Sequence, residues 1–386
     1  KSAWFKNLDQ VMSLSKLSLE SGCTSATKND DDDATNTQTK EIRVFMDGAF
    51  DMMHFGHMNA FRLGRSLGTH LLVGINSDES IAECKGGLPL LNDEERQTMV
   101  ESCKFVDEVV PNCPYIMNES YLNYILQEYR VDYVIHGDDP CLVDGKDVYA
   151  TAKQAGKFKS IPRTEGISTT DLVGRVLALH ASNLASNSSP LGYTSRFLTT
   201  TSLLAAFRSN NPSPKPGMKI VYVDGDFDMF HCGHVAFLQV AKQKGDYLLV
   251  GIHGDALVHK MKGSRFPLQN AYERSLSVLG CRFVDDVLLD APYEVTSAMI
   301  DTLQIKQVIK FGSDGISNKS DMENDTASNS SLEIDRFLDP RQAGILEVIE
   351  DSSGFSIDKV FRRILDDEET FQRKYNRKLQ AEQEFL

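Results

Sequence analysis

One stretch of this chain occurs twice. Val44-Phe45-Met46-Asp47-Gly48-Ala49-Phe50-Asp51-Met52-Met53-His54-Phe55-Gly56-His57 returns as Val221-Tyr222-Val223-Asp224-Gly225-Asp226-Phe227-Asp228-Met229-Phe230-His231-Cys232-Gly233-His234, 177 residues downstream. The offset holds as far as Lys85 and Lys262. After one inserted residue, Pro89, Arg96, Cys103 and Pro114-Tyr115 match Pro267, Arg274, Cys281 and Pro292-Tyr293. Solenoid repeats have periods of only ~20–50 residues, so two copies at this distance mean a duplicated domain. A chain of 386 residues has room for two domains of roughly 150 residues each.

Each copy reads as a strand, a turn and a helix. In the first, residues 42–46 favour a strand, Asp47-Gly48 breaks it, and Met58, Phe61 and Leu63 follow at helical spacing. His54 and His57 then sit near a helix N-terminus, where unpaired N–H groups and the helix dipole favour an anion. Gly56 removes a side chain where a phosphate would approach. His-x-Gly-His alone is as often structural as catalytic, and a zinc site would need further ligands that no spacing in the sequence places.

The alternation continues, with strands expected at 42–47, 70–76, 105–110 and 131–136 and helices at 57–67, 93–102, 119–129 and 148–155. Asn92 and Glu95 form a capping box for the second of these helices. Such alternation implies an α/β domain, a parallel sheet with helices on both faces. Ligands in such sheets bind beyond the carboxyl ends of the strands, where His54, His57, Asn76-Ser77-Asp78 and His136-Gly137-Asp138 converge. Residues 1–40 read as a partly disordered N-terminal extension with a short helix that packs on the first domain, at 41–181. A Ser/Asn/Pro-rich linker covers 182–217, with an apolar piece at 203–207 expected to dock. The second domain, 218–386, carries a polar insertion at 313–331. It ends in a charged helical tail with a narrow apolar stripe at Val360, Ile364 and Phe371.

The net charge of −14 argues against a nucleic-acid surface, which needs basic patches. No run of ~18 or more apolar residues is present to span a membrane. The seven cysteines have no C-x-x-C spacing and read as free thiols of a reducing compartment.

Asp-Gly-x-Phe-Asp-x-x-His-x-Gly-His between strand and helix, followed by Arg163-Thr164-Glu165-Gly166-Ile167-Ser168-Thr169-Thr170-Asp171, closely resembles the cytidylyltransferases of the HxGH nucleotidyltransferase superfamily. The resemblance is dense over 42–180 and looser over 219–365. It implies two tandem Rossmann-like nucleotidyltransferase domains, each a doubly wound parallel sheet. It also implies CMP transfer from CTP to a small phosphate acceptor, with Mg²⁺ carried on the triphosphate and no tightly bound cofactor. Such a reaction is an in-line displacement at phosphorus that needs positioning and charge neutralisation. His54 and His57 would serve the α-phosphate and the departing pyrophosphate, and Lys85 would bridge the phosphates of both substrates. Arg163, Thr164, Ile167, Ser168 and Thr169 would hold the triphosphate region. Ala49 and Phe50 would touch the nucleotide through their backbone, with His136, Gly137 and Asp138 near cytosine and ribose. Asp47 and Tyr115 would take the acceptor's amine, the latter through its ring face.

The tandem layout, without a long basic amphipathic helix, implies phosphoethanolamine as acceptor. Phosphocholine and glycerol 3-phosphate are the alternatives, and an adenylyl donor fits the Arg-Thr-Glu-Gly-Ile-Ser-Thr form less well. A cytoplasmic homodimer, peripheral at the endoplasmic reticulum or outer mitochondrial membrane, completes the expectation. In the second copy Asp226, Phe227, His231, His234 and Lys262 are candidate nucleotide contacts. There, however, Asp351 falls at the Arg163 position, Ile357 at that of Thr169 and Lys310 at that of His136. A carboxylate facing a triphosphate is costly, so the second domain is expected to be degenerate, a nucleotide sensor or buttress.

Overall fold

A computed structural model describes residues 41–184, 201–208, 213–263, 265–312, 335–350, 355 and 357–384. The N-terminal extension, the insertion at 313–331 and Asp351 lie outside them. Residues 41–386 form one compact unit.

The first repeat runs β1 (Arg43–Gly48), α1 (Phe55–Arg65), β2 (His70–Asn76), α2 (Asp78–Lys85), α3 (Asp93–Glu101), β3 (Glu108–Cys113), α4 (Glu119–Glu128), β4 (Tyr133–Gly137), α5 (Ala150–Gln154), β5 (Phe158–Ile161) and α6 (Thr169–Leu184). A linker helix, α7 (Thr201–Arg208), leads to the second repeat. That repeat runs β6 (Ile220–Gly225), α8 (Cys232–Lys242), β7 (Tyr247–His253), α9 (Asp255–Lys262), α10 (Ala271–Leu279), β8 (Asp286–Ala291), α11 (Ser297–Thr302), β9 (Ile305–Phe311), α12 (Leu338–Gln342), β10 (Leu346–Ile349), α13 (Ile357–Asp366) and α14 (Glu368–Glu384). The two main sheets are five-stranded and parallel throughout, in the orders β3-β2-β1-β4-β5 and β8-β7-β6-β9-β10, and Leu142–Val143 pairs antiparallel with Lys146–Asp147 in a small third one. Helices cover both faces, so the central strands are continuously apolar: Val44, Phe45, Leu71, Leu72 and Val73 are fully buried. The strand order reverses between β1 and β4, which opens the crevice at their carboxyl ends.

Several elements differ from the sequence expectation. Helix α1 begins at Phe55 rather than His57, because the His54 side chain caps it. The strand expected at 105–110 is Glu108–Cys113. Phe105 and Val106 are instead buried in the turn before it, and Pro111 is tolerated on this edge strand. Lys85 ends a helix, α2, in which only Ile81 is buried, so no apolar period announced it. The piece at 203–207 does dock, with the Phe207 ring 5.2 Å from that of Phe105. The tail is two helices, with Val360 and Ile364 fully buried.

The repeats face each other through equivalent residues, the signature of a twofold interface. Cys103 and Cys281 pair as an antiparallel bridge. Beside it the Lys104 N–H donates to Gly280 C=O at 3.0 Å and the Arg282 N–H to Ser102 C=O at 2.8 Å. Arg175 on α6 donates to both carboxylate oxygens of Glu273, at 2.7 and 2.9 Å, and to Leu268 C=O at 2.9 Å. Arg363 on α13 makes the mirror contacts to Glu95, at 2.8 and 3.2 Å, and to Leu90 C=O. Both glutamates also close capping boxes, on α3 and α10.

The two pairs differ in burial: side-chain exposure is 8% and 2% for Arg175 and Glu273, against 37% and 17% for Arg363 and Glu95. Breaking a buried pair strands a charge and costs about 3–5 kcal/mol, whereas a half-exposed pair contributes about 1 kcal/mol or less. Urea denaturation should therefore find Arg175→Ala much more destabilising than Arg363→Ala. Equal effects would contradict the burial argument.

Candidate active site

At the carboxyl ends of β1 and β4 lies a pocket of about 690 Å³. Its wall includes Asp47, Ala49, Phe50, His54, His57, Lys85, Tyr115, His136, Gly137, Arg163, Thr164, Ile167, Ser168 and Thr169. Asp138 is the exception. It lies off the wall, and its Oδ1 accepts the Arg163 N–H at 3.1 Å, so it braces the backbone of Arg163 while Asp139 takes the wall position.

The turn that carries this site is held from behind. The Asp51 carboxylate accepts the N–H groups of Leu90 and Leu91 at 2.8 and 2.9 Å, and its carbonyl accepts the Thr169 hydroxyl at 2.8 Å. Phe50 and Met52 have φ of +48°, a left-handed conformation that costs side-chain-bearing residues about 1–3 kcal/mol each. The equivalent Phe227 and Met229 repeat it at +50°, so the strained turn is a property of the duplicated unit. Asp51 and Asn76 line the pocket as well. Asp51 stands in the repeated motif and Asn76 in a segment that converges here, but the bonds from Asp51 to distant backbone amides are invisible in sequence.

The two imidazoles stack, with centroids 4.0 Å apart and an interplanar angle of 23°. His54 Nδ1 accepts the Gly56 N–H at 3.1 Å, and His57 Nδ1 accepts the His54 N–H at 3.4 Å. With Nδ1 accepting in each ring, the proton of each neutral imidazole sits on Nε2. Burial and the neighbouring cations keep both neutral: His57 titrates down at about 4, and His54 is also held well below its usual range. The Nε2 of His54 is buried without a partner, a donor waiting for an acceptor. Gly56 is required by the ring itself, since a Cβ there would lie 2.9 Å from His54 Cε1 and Ile167 Cγ2.

Cations surround the pair. Lys85, beside the left-handed Gly86 at φ +72°, is lowered in pKa by burial and sits 4.9 Å over the Tyr115 ring. Arg163 is half exposed, 3.2 Å from Asp139. The hydroxyl of Ser168 donates to Asp171 at 2.7 Å and that of Thr169 to Asp51 C=O. The Asp171 N–H donates back to Ser168 at 3.2 Å, so on this element the N–H groups of Thr169 and Thr170 are the donors left for an anion. At the other end Asp47 is 5% exposed. Burial raises its carboxyl to about 6, and hydrogen bonds from Tyr149 and Asn76 offset this only in part. Tyr149 donates to Asp47 at 3.0 Å and its ring lies 4.6 Å from His136. Tyr149 was missed because its local sequence reads as helix core.

The second repeat keeps the frame and pairs the equivalent groups with its own side chains. His231 and His234 stack at 3.8 Å with the same Nδ1 pattern. Asp226 stands where the first repeat has Ala49, and it pairs with Lys262. The Phe355 ring lies 4.8 Å from His231. Asp224, the counterpart of Asp47, pairs with Arg336, whose guanidinium lies 5.0 Å over Tyr293, the counterpart of Tyr115. Phe337 precedes α12 as Tyr149 precedes α5, so the lost phenol is replaced by this arginine.

Because His54 and His57 are neutral when folded and take up protons below pH 6.5 when unfolded, their contribution is full above that pH and lost as pH falls towards about 4. The stability advantage of the wild type over His57→Asn should therefore grow by about 3 kcal/mol as pH rises from about 4 to 6.5, at 1.36 kcal/mol per pKa unit. A pH-independent difference would refute the neutral pair.

Residues 45–175 and 222–349 each match the family model described as cytidylyltransferase-like. The chain is 42% identical over 91% of its length to the ethanolamine-phosphate cytidylyltransferase of Dictyostelium discoideum, covering 98% of that protein. It is 39% identical to the enzyme of that name from Arabidopsis thaliana, over 90% of this chain and 85% of that one. The Mus musculus protein of that name is 35% identical, over 89% and 91%. Duplicated domains, a pocket on the first and full-length similarity converge: this chain belongs to the ethanolamine-phosphate cytidylyltransferase family.

Proposed function

We propose that the first domain transfers CMP from CTP to phosphoethanolamine, giving CDP-ethanolamine and pyrophosphate. The observation that carries this reading is one pocket with two chemically opposite ends. Neutral imidazole donors and Arg163 stand at one, and the buried carboxylate of Asp47 stands at the other; Tyr115 shares this wall and carries Lys85 over its ring. A substrate with phosphate at one end and ammonium at the other satisfies both.

In this reading a phosphate oxygen of phosphoethanolamine attacks the α-phosphorus of CTP. The bond to the oxygen bridging the α- and β-phosphates breaks, and pyrophosphate leaves with the electron pair. His54 and His57 donate from Nε2 to the α-phosphate and the leaving oxygen, and Lys85 spans the two phosphate groups. Arg163 and the α6 N-terminus hold the distal phosphates. Mg²⁺ enters on the triphosphate as part of the substrate. His136 and Gly137 border the nucleoside, and Asp47 with Tyr115 takes the ammonium. The second domain is non-catalytic, a reading supported by the internal pairing of Lys262 and Arg336.

Pyrophosphate release from CTP and phosphoethanolamine tests the reading. His57→Ala should lower kcat by about 10²–10³-fold, the usual loss for a transition-state donor, while His234→Ala stays near wild type. Equal losses would overturn the single-site assignment, and no release with any phospho-amine would favour a nucleotide sensor. Because Asp47 ionises at about 6, the KM for phosphoethanolamine should fall as pH rises through that value. The acceptor's own phosphate titrates at about pH 6, so the decisive quantity is the difference from Asp47→Asn, in which the carboxylate's share of that fall should vanish.

A further inference from the structure

The wall of the first pocket includes two residues from outside the first repeat, Phe371 and Lys374 on α14. They belong to one helical face, since Phe371, Lys374, Tyr375 and Lys378 recur at the spacing that places residues one above another. That face is fastened to α6 close to where the helix begins. Lys378 Nζ donates to the Ser168 hydroxyl at 2.8 Å and pairs with Asp171. The Tyr375 ring packs so tightly on Gly174 that a Cβ there would sit 2.3 Å from its Cε2. One residue before the Tyr375 anchor, Lys374 lies with its ammonium 5.4 Å from the centre of the Phe371 ring. It is close enough to Lys85 to disfavour that lysine's charge.

Like charges gathered in the pocket that also holds the buried, partnerless Nε2 of His54 are unfavourable in the empty protein and are relieved by a polyanion. We infer that Lys374 binds a substrate phosphate together with Lys85, so that the C-terminal helix completes the active site of the first repeat. The inference rests on the CTP and phosphoethanolamine reading. It gives the tail a binding role: the second repeat delivers α14 across the interface, and Lys378 sets its register against the phosphate-facing end of α6.

The test uses the full chain with Lys374→Ala, Lys374→Glu and Lys374→Arg, measuring kcat, KM for each substrate and the melting temperature. The melting temperature should stay unchanged, because Lys374 is exposed. Loss of one charge-assisted contact should raise the KM of the phosphate it serves about tenfold in Lys374→Ala, further in Lys374→Glu, with recovery in Lys374→Arg. A rise for CTP assigns Lys374 to the triphosphate, and a rise for phosphoethanolamine assigns it to the acceptor phosphate. If both KM values in Lys374→Glu stay within about twofold of an active wild type, the inference is overturned. A wild type that releases no pyrophosphate would refute the underlying reading instead.

Discussion

A guanidinium with no access to water must find an acceptor for each of its N–H groups, and in this molecule the active-site crevice is assembled around that demand. Arg96 is fully buried. It donates to the carbonyls of Ala49, Asn76 and Leu91 and to the carboxylates of Asp78 and Asp93. These groups belong to the turn after β1, the end of β2 and the starts of α2 and α3, so one side chain fixes the relative positions of four segments that edge the pocket. Arg274 does the same in the second repeat, through Asp226, His253, Gln269 and Asp255. The substrate-facing groups change between repeats and this scaffold does not.

What separates the repeats is therefore local. A methyl group at Ala49 leaves Lys85 to the pocket, whereas the carboxylate of Asp226 captures the equivalent lysine. A phenol on Tyr149 leaves Asp47 still seeking a cation, whereas Arg336 supplies Asp224 with a permanent one. The second repeat thus contains, built from its own side chain, a cation lodged between carboxylate and tyrosine. Its remaining surface supports the first repeat. Arg363 reaches Leu90 C=O next to the amide that Asp51 holds, so the interface and the pocket wall share a loop.

The duplicated motif made the fold legible, since a strand, a turn and a helix that recur at a fixed distance leave little choice beyond tandem α/β domains. That motif together with the unrepeated segment from Arg163 to Asp171 pointed to most of the pocket wall, because His54, Lys85 and Arg163 belong to segments whose residue types are unusual for structure alone. What escaped reading depends on distant partners. Tyr149 and Asp47 are bonded across about a quarter of the chain. Lys374 belongs to a charged tail whose exposed face and pocket face look alike in sequence. Asp138 was drawn into the site by its neighbours, when its carboxylate serves the backbone of Arg163. The edge strand at Glu108–Cys113 was misplaced because Phe105 and Val106 are apolar for the sake of the interface.

The histidine pair begins as a helix-start device. In both repeats the first imidazole caps the helix through Nδ1, the second accepts the cap residue's own N–H, and the rings stack. The backbone thereby dictates which nitrogen carries hydrogen in each ring, before any ligand arrives. Any ligand of the pocket meets a tautomer that folding has already selected. Either repeat needs the same two rings to begin its helix, so the presence of the pair records the fold's grammar rather than its occupation.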